Sequence, residues 1–262
     1  MSEVKGLILA AGFGSRLMPL TEDRPKAMVE IFGRPMIQRQ VDTMRECNIN
    51  DISVVAGYQY EKLQSLNLPL VINKDYDSTN MVWSMMCARE IFDGSADVIM
   101  SYGDIVYEKR VLEELINTEG NVVVAADSQW KRLWGERMDN VLDDVETFKV
   151  DASGKLYELG KKPQTMDDIQ GQYMGLVKFS SKCHEALLKF YDSLDDSIEY
   201  DGKSFRQMYM TSFIQGLKDS GWVIDIAWTE SGWLEVDTVD DIEIYERMHL
   251  TGQLDPVYRL SV

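Results

Sequence analysis

The sequence predicts an α/β protein with three layers, α/β/α, built around a mostly parallel, mixed sheet. Strand and helix signals alternate through the first half of the 262 residues. Such alternation makes a parallel sheet with helices on both faces. The opening apolar run leads directly into a glycine-containing loop, and open sheets hold ligands beyond the carboxyl ends of their strands. The second half changes character and contains a hairpin signal, so the sheet is expected to be mixed.

The elements follow in order. Val4 to Ala10 is apolar and reads as a short buried strand. Pro35 can open a helix through about Cys47, because proline suits the first helical turn. Ile52 to Ala56 reads as a strand, Tyr58 to Leu66 as a helix, and Leu70 to Asn73 as another short strand. Thr79 or Asn80 can cap a helix running through Arg89, with Val82, Met85, Met86 and Arg89 at helical spacing. Val98 to Tyr102 is a strand ending on Gly103-Asp104, Glu108 to Asn117 a helix, and Val122 to Ala126 a strand. Trp130 and Trp134 fall in a loop-like, charged stretch with few other apolar residues. Thr147 to Val150, a turn at Asp151-Ala-Ser-Gly154, and Lys155 to Leu159 form the hairpin signal. Gln172 to Phe179 and Val223 to Trp228 read as strands; Lys182 to Leu194, Phe205 to Lys218 and Val239 to Leu250 read as helices. The expected organisation is one domain over residues 1–262, with a nucleotide-binding half over 1–126 and an acceptor-binding half over 127–262.

Composition narrows the function. The chain is 45% hydrophobic and 27% charged, within the globular range. No apolar run approaches the roughly 18 residues of a membrane helix. The first residues lack a basic segment followed by an apolar one, so no signal peptide is expected. Cys47, Cys87 and Cys183 are odd in number and scattered. They fit a reducing cytoplasm rather than a disulfide framework or metal site. With only His184 and His249 present, a histidine-based metal cluster is not expected, and both read as plain helix residues. A net charge of −17 argues against nucleic acid or anionic membrane as partners. The pairs Asp143-Asp144, Asp167-Asp168, Asp195-Asp196 and Asp240-Asp241 read as solvated surface or helix N-termini. Oligomeric state stays open, a homodimer among the options.

The chemistry is concentrated in Leu9-Ala10-Ala11-Gly12-Phe13-Gly14-Ser15-Arg16 and in Arg24-Pro-Lys26. Small residues let backbone N–H groups approach an anion, and successive N–H groups form a concave nest for phosphate. Arg16 offers a planar fork to phosphate oxygens and Lys26 a compact point charge. A strand, a glycine loop and two cations predict a nucleotide polyphosphate site. Leu17 stands where a dinucleotide fingerprint needs its third glycine, and the Gly-Lys-Ser/Thr of a P-loop is absent. In so acidic a chain a bound divalent metal would help to hold a polyphosphate. Asp104, at a strand's carboxyl end beside a glycine, can hold Mg²⁺ against phosphate oxygens.

The full string, with Pro-Lys after it, resembles the signature of the nucleotidyltransferases that make nucleoside diphosphate sugars and their relatives. The resemblance implies a Rossmann-like nucleotidyltransferase fold, a loop that wraps the nucleotide, and phosphate contacts from Arg16 and Lys26. It also implies metal ligands at Asp104 and at Asp237, in Gly232-Trp-Leu-Glu-Val-Asp237, with Glu235 a second candidate. Asn73-Lys-Asp-Tyr76 and Thr79-Asn80-Met-Val-Trp83-Ser84 resemble the same stretch of bacterial phosphocholine and aminoethylphosphonate cytidylyltransferases. Asparagine can read a base or an acceptor through its amide; Asn80, with Ser84 one helical turn beyond it, is expected at the nucleotide. Gly160-Lys-Lys-Pro163 is similar to the Glu-Lys-Pro of sugar nucleotidylyltransferases; Lys162 matches the lysine on the acceptor phosphate, but Lys161 replaces the sugar-reading glutamate.

The implied reaction joins CTP to a small phosphorylated or phosphonate acceptor of the phosphocholine, phosphoethanolamine or 2-aminoethylphosphonate class, releasing pyrophosphate. The alternatives are a sugar 1-phosphate, an amide or polyol phosphate, or a non-catalytic nucleotide-binding subunit. For a cationic acceptor, Trp83, Trp130, Trp134, Tyr173, Trp228 and Trp233 are candidate ammonium contacts. Trp130 and Trp134 are foremost because they are hardest to explain as core. Asp127 or Asp139 could add a carboxylate.

Overall fold

The protein is described from a computed structural model that covers residues 3–138 and 145–260. Strand β1 (Val4–Ala10) is followed by helix α1 (Met36–Glu46), β2 (Asp51–Ala56), β3 (Leu70–Ile72), α2 (Met81–Cys87) and β4 (Asp97–Tyr102). Next come β5 (Ile105–Tyr107), α3 (Lys109–Asn117), β6 (Val122–Asp127) and α4 (Lys131–Arg137). The hairpin β7 (Phe148–Val150) and β8 (Leu156–Leu159) precedes β9 (Gln172–Phe179), α5 (His184–Asp192) and α6 (Met210–Asp219). Then β10 (Ile224–Thr229), β11 (Trp233–Glu235) and α7 (Val239–Leu250) complete the fold.

Seven strands form the central sheet in the order β10-β6-β9-β4-β1-β2-β3. All pairings are parallel except those of β9, which runs antiparallel to both β4 and β6. Side chains alternate across the pleat. Ile8 and Ala10 join a core with α1, α3, α4 and α7, whereas Leu7 and Leu9 join a core with α2, α5 and α6. Two apolar layers on one sheet give the α/β/α arrangement and bury the strands on both faces. No helix among the described residues is long and apolar enough to cross a membrane.

Several boundaries differ from the sequence reading. Tyr60–Leu66 is 3₁₀ helix between Gln59 and Asn67, both left-handed, rather than an α-helical segment from Tyr58. The helix capped by Asn80 ends at Cys87, and Arg89 belongs to a separate 3₁₀ turn. The segment from Phe205 breaks after a 3₁₀ turn at Phe205–Gln207 before α6 begins. Trp130 is the N-cap residue of helix α4 and Trp134 lies within it, so this stretch is not a loop.

Candidate active site

At the carboxyl end of the sheet, β1 runs into the loop Ala11–Gly14. Gly14 has φ +71°, and a Cβ there would fall 2.8 Å from Cβ of Lys26. The glycine thus lets the lysine stem lie along the loop. Pro25, in extended conformation, precedes the single 3₁₀ turn Lys26–Met28 that starts this stem. Gly103 does similar work one strand away: its N–H donates to the Leu9 carbonyl at 2.9 Å, and a Cβ would lie 2.6 Å from that oxygen. The end of β4 therefore closes onto the end of β1 and sets Asp104 beside Lys26.

A two-stranded ribbon brings in the second carboxylate. β5 pairs antiparallel with β11, Ile105 opposite Glu235, and the N–H of Val236 donates to the Asp104 carbonyl at 3.0 Å. Lys26 Nζ consequently lies 2.7 Å from Asp104 Oδ2 and 2.7 Å from Asp237 Oδ1. Arg16 Nη2 reaches the same Asp237 oxygen at 2.9 Å from an exposed position. Burial alone would discharge Lys26, but Asp104 and Asp237 outweigh it and hold its pKa above the ordinary lysine value. Burial likewise pushes Asp237 up; Lys26 first, then Arg16 and Arg137, hold it below its ordinary value.

Arg137, the last residue of α4, closes the cluster from the interior. It donates to Glu235 Oε2 at 2.9 Å, to Asp241 Oδ1 at 2.8 Å and to Asp237 Oδ2 at 3.4 Å. Its guanidinium carbon lies 4.9 Å from the Trp134 ring centroid. Burial, and next the negative charge of Asp237, raise the pKa of Glu235 above the ordinary glutamate value.

A cavity of about 320 Å³ opens against this cluster, lined by Tyr102, Trp134, Glu146, Tyr173, Tyr209, Glu235 and Asp237 among others. The β9–β6 register shifts between Tyr173 and Val177, and Gly175 there has φ +71°. A Cβ on Gly175 would strike the Tyr102 ring at 2.4 Å. The irregularity thus lets Tyr102 and Tyr173 meet edge to face, 5.9 Å between centroids, on the cavity wall.

Residues 6–204 match the MobA-like NTP transferase domain. The chain belongs to that family. CTP:phosphoglutamine cytidylyltransferase of Campylobacter jejuni is 40% identical over 250 residues, spanning 92% of this transferase and 98% of its own length. Choline-phosphate cytidylyltransferase of Streptococcus pneumoniae is 38% identical over 155 residues, 56% of this transferase and 67% of its own chain. Among solved structures, the inositol-1-phosphate CTP transferase of T. maritima superposes with a TM-score of 0.74 at 17% identity, covering 99% of the transferase and 98% of its own chain. The CTP:phosphocholine cytidylyltransferase of S. pneumoniae superposes at 0.69 with 21% identity, covering 94% and 99%. These two likenesses show the Rossmann-like nucleotidyltransferase fold.

The transferase places the expected residues unevenly. Leu9, Ala10 and Ala11 are buried behind the loop; Gly12, Ser15 and Arg16 are exposed on it, and Phe13 packs edge to face on Tyr58. Asn80 caps α2 through the Met81 N–H, and the buried Ser84 hydroxyl accepts from Asn73. Lys162 is exposed after the hairpin, while Lys161 pairs with Glu158.

The exposed ammonium cage expected of Trp130 and Trp134 is corrected: each is only 1% exposed. They sit at 6.4 Å from one another in the core formed by α4, and only Trp134 borders the cavity. Trp233 is also buried, and its Nε1 donates to Asp127. Asp127 is no ammonium partner, because it is consumed by Trp233 and by the N–H groups of Gln129 and Ser231. Trp228 packs on Phe148, and Trp83 lies under the Arg206 guanidinium. Asp139 falls outside the described residues.

Sequence reasoning missed Arg137, Glu146 and Tyr209. The string Trp134-Gly-Glu-Arg137 carries no glycine-loop or strand-end signal. Only the burial of α4 shows that its arginine faces inward.

The transferase's carboxylates suit a divalent cation. Asp104 Oδ1 is buried without a hydrogen-bond partner among the described residues, and Asp104 Oδ2 and Asp237 Oδ1 already converge on one positive group. Carboxylate oxygens are the donors that Mg²⁺ prefers, and it commonly takes one or two of them together with phosphate oxygens. Among the described residues no group of three or more metal-ligating side chains is arranged to hold an ion alone.

Proposed function

We propose that this transferase joins the cytidylyl group of CTP to a small phosphorylated acceptor carrying an ammonium group, with release of pyrophosphate. The favoured acceptor is an amino-acid amide phosphate of the phosphoglutamine type. The observation that carries the reaction type is the glycine loop with Arg16 and Lys26 set against Asp104 and Asp237, the last of which also lines the cavity. The relative named for phosphoglutamine matches over 98% of its own length, which favours that acceptor over those of relatives matched in part.

An acceptor phosphate oxygen would attack the α-phosphorus of CTP in line as the bond to pyrophosphate breaks. That oxygen is already ionised near neutral pH, so no general base is required. Arg16 and Lys26 would hold the phosphates and offset the charge that builds in the transition state. A divalent cation, Mg²⁺ first, would be held by Asp104 and Asp237 and would neutralise phosphate charge when bound. The cavity wall suits the acceptor's ammonium end, because tyrosine faces and the Glu146 carboxylate both attract a cation.

A phosphocholine-type acceptor is the second reading, favoured by the same wall and by the Streptococcus relative. Pyrophosphate release tests both, with phosphoglutamine, phosphocholine, 2-aminoethylphosphonate and glucose 1-phosphate offered against each nucleoside triphosphate. Phosphoglutamine with CTP should give the highest kcat/KM. Preference for glucose 1-phosphate, or no turnover with any pair, would refute the reading.

A further inference from the structure

We infer that Arg137 is a positioning residue of the transferase, fixing Asp237 on the donor side and Glu235 on the acceptor wall at once. The inference rests on Asp237 serving as a cation-facing carboxylate, and the test below separates the two ideas.

Asp237 divides its oxygens. Oδ1 meets Lys26 and Arg16, whereas Oδ2 meets Arg137. The carboxylate plane is thereby set from behind, by a guanidinium whose side chain is 1% exposed. That guanidinium is itself anchored: it donates twice to Asp241, at 2.8 and 3.3 Å. Asp241 in turn accepts from the backbone N–H groups of Asp237 and Thr238, at 2.8 and 2.9 Å. Arg137 thus ties the end of β11, the start of α7 and the Asp237 side chain into one unit.

The third contact, to Glu235 at 2.9 Å, lies on the cavity wall beside Trp134, which packs against the guanidinium one turn earlier in α4. A planar fork with five N–H donors can serve three carboxylates in fixed directions; a lysine supplies the same charge without those directions. Groups that orient a metal-facing ligand typically change metal affinity by about 10- to 100-fold when altered.

The experiment compares Arg137→Lys, the double variant Arg137→Gln/Glu235→Gln and Asp237→Asn in the full chain. Mn²⁺ binding is followed by electron paramagnetic resonance with α,β-methylene-CTP present, and KM and kcat are measured alongside thermal unfolding. Arg137→Lys should stay folded, weaken Mn²⁺ binding about tenfold or more, and raise the acceptor KM. Its affinity for the CTP analogue without metal should be unchanged, since Arg16 and Lys26 remain. Normal Mn²⁺ affinity in folded Arg137 variants, with Asp237→Asn impaired, would overturn the positioning role alone. Normal Mn²⁺ affinity in Asp237→Asn would overturn the reading of Asp237. Failure of both Arg137 variants to fold would make Arg137 a framework residue and end the proposal.

Discussion

Lys26 is the residue on which the site converges. Replacing it with alanine would remove the transition-state charge contact proposed for it, so kcat should fall by at least about a hundredfold. The same change leaves Asp104 and Asp237 without their shared counter-charge, which should lower the thermal midpoint as well. Turnover measured well below that midpoint separates the effects, and a folded variant with near-normal kcat would remove Lys26 from the chemistry. His184 gives a pH effect unrelated to catalysis. Its Nδ1 accepts from the Gly94 N–H at 3.1 Å, and its Nε2 faces the Phe179 carbonyl at 3.2 Å. A neutral ring with the proton on Nε2 satisfies both, and burial lowers its pKa below the ordinary 6.5. Below about pH 6.5 the unfolded chain therefore binds a proton that the folded protein resists, and stability falls as pH drops. Denaturant melts between about pH 5 and 7 should show that slope, and His184→Gln should flatten it. Arg16, Lys26 and Asp104, which the structure brings into one cluster with Asp237, could be singled out in the sequence because each stands beside a local signal, the glycine loop or a strand end. Arg137 was not, because its three carboxylate partners lie about a hundred residues away.

At the scale of elements, the strands of the central sheet and the hairpin were readable, the three-residue β3 and β7 included, but the ribbon β5–β11 and helix α4 were not. β1, β9 and α7 occupy the residues that their patterns indicate. The ribbon β5–β11, three residues per strand with its two strands far apart in sequence, carries no turn signal between them, yet it joins Asp104 to Asp237. α4 was hidden for a different reason: four of its seven residues are charged, and its burial rests on Leu133, Trp134 and the inward-facing Arg137. The cap of α7 offers a test. The Thr238 hydroxyl oxygen accepts from the Asp241 N–H, and the Thr238 N–H donates to the Asp241 carboxylate. Thr238→Ala should cost about 1 kcal/mol. That loss would lower the thermal midpoint by about 2–4 °C. An unchanged midpoint would show that the box contributes nothing to stability.

For the whole molecule, layer order and mixed character followed from the sequence, but strand order did not. Local patterns do not say that β9 enters between β4 and β6. The charged groups Arg16, Lys26, Asp104, Arg137 and Asp237 come from separate segments of the sequence and are joined by direct contacts, so ligand binding there should stabilise the fold that brings them together. CTP with Mg²⁺ at about a hundred times its dissociation constant should add about 2.7 kcal/mol. A chelator should remove most of that gain if Asp104 and Asp237 act through a metal. A CTP-induced rise in midpoint that ignores the chelator would count against the metal reading.

The place of β9 has a mechanical consequence. Tyr173, on the wall proposed for the acceptor, belongs to β9; Asp104 follows β4, and the last rung joining these two strands is Leu176 opposite Ser101. If the two substrates bind as proposed, the gap between them is bounded by short stretches of backbone that run on from that rung, as the jaws of a fixed gauge run from its bar, and not by the swing of a hinge. To widen or narrow it the sheet itself must bend. With both substrates bound, the backbone of β1, β4, β6 and β9 should superpose on the present one to within about 1 Å, leaving adjustment to side chains at the rim.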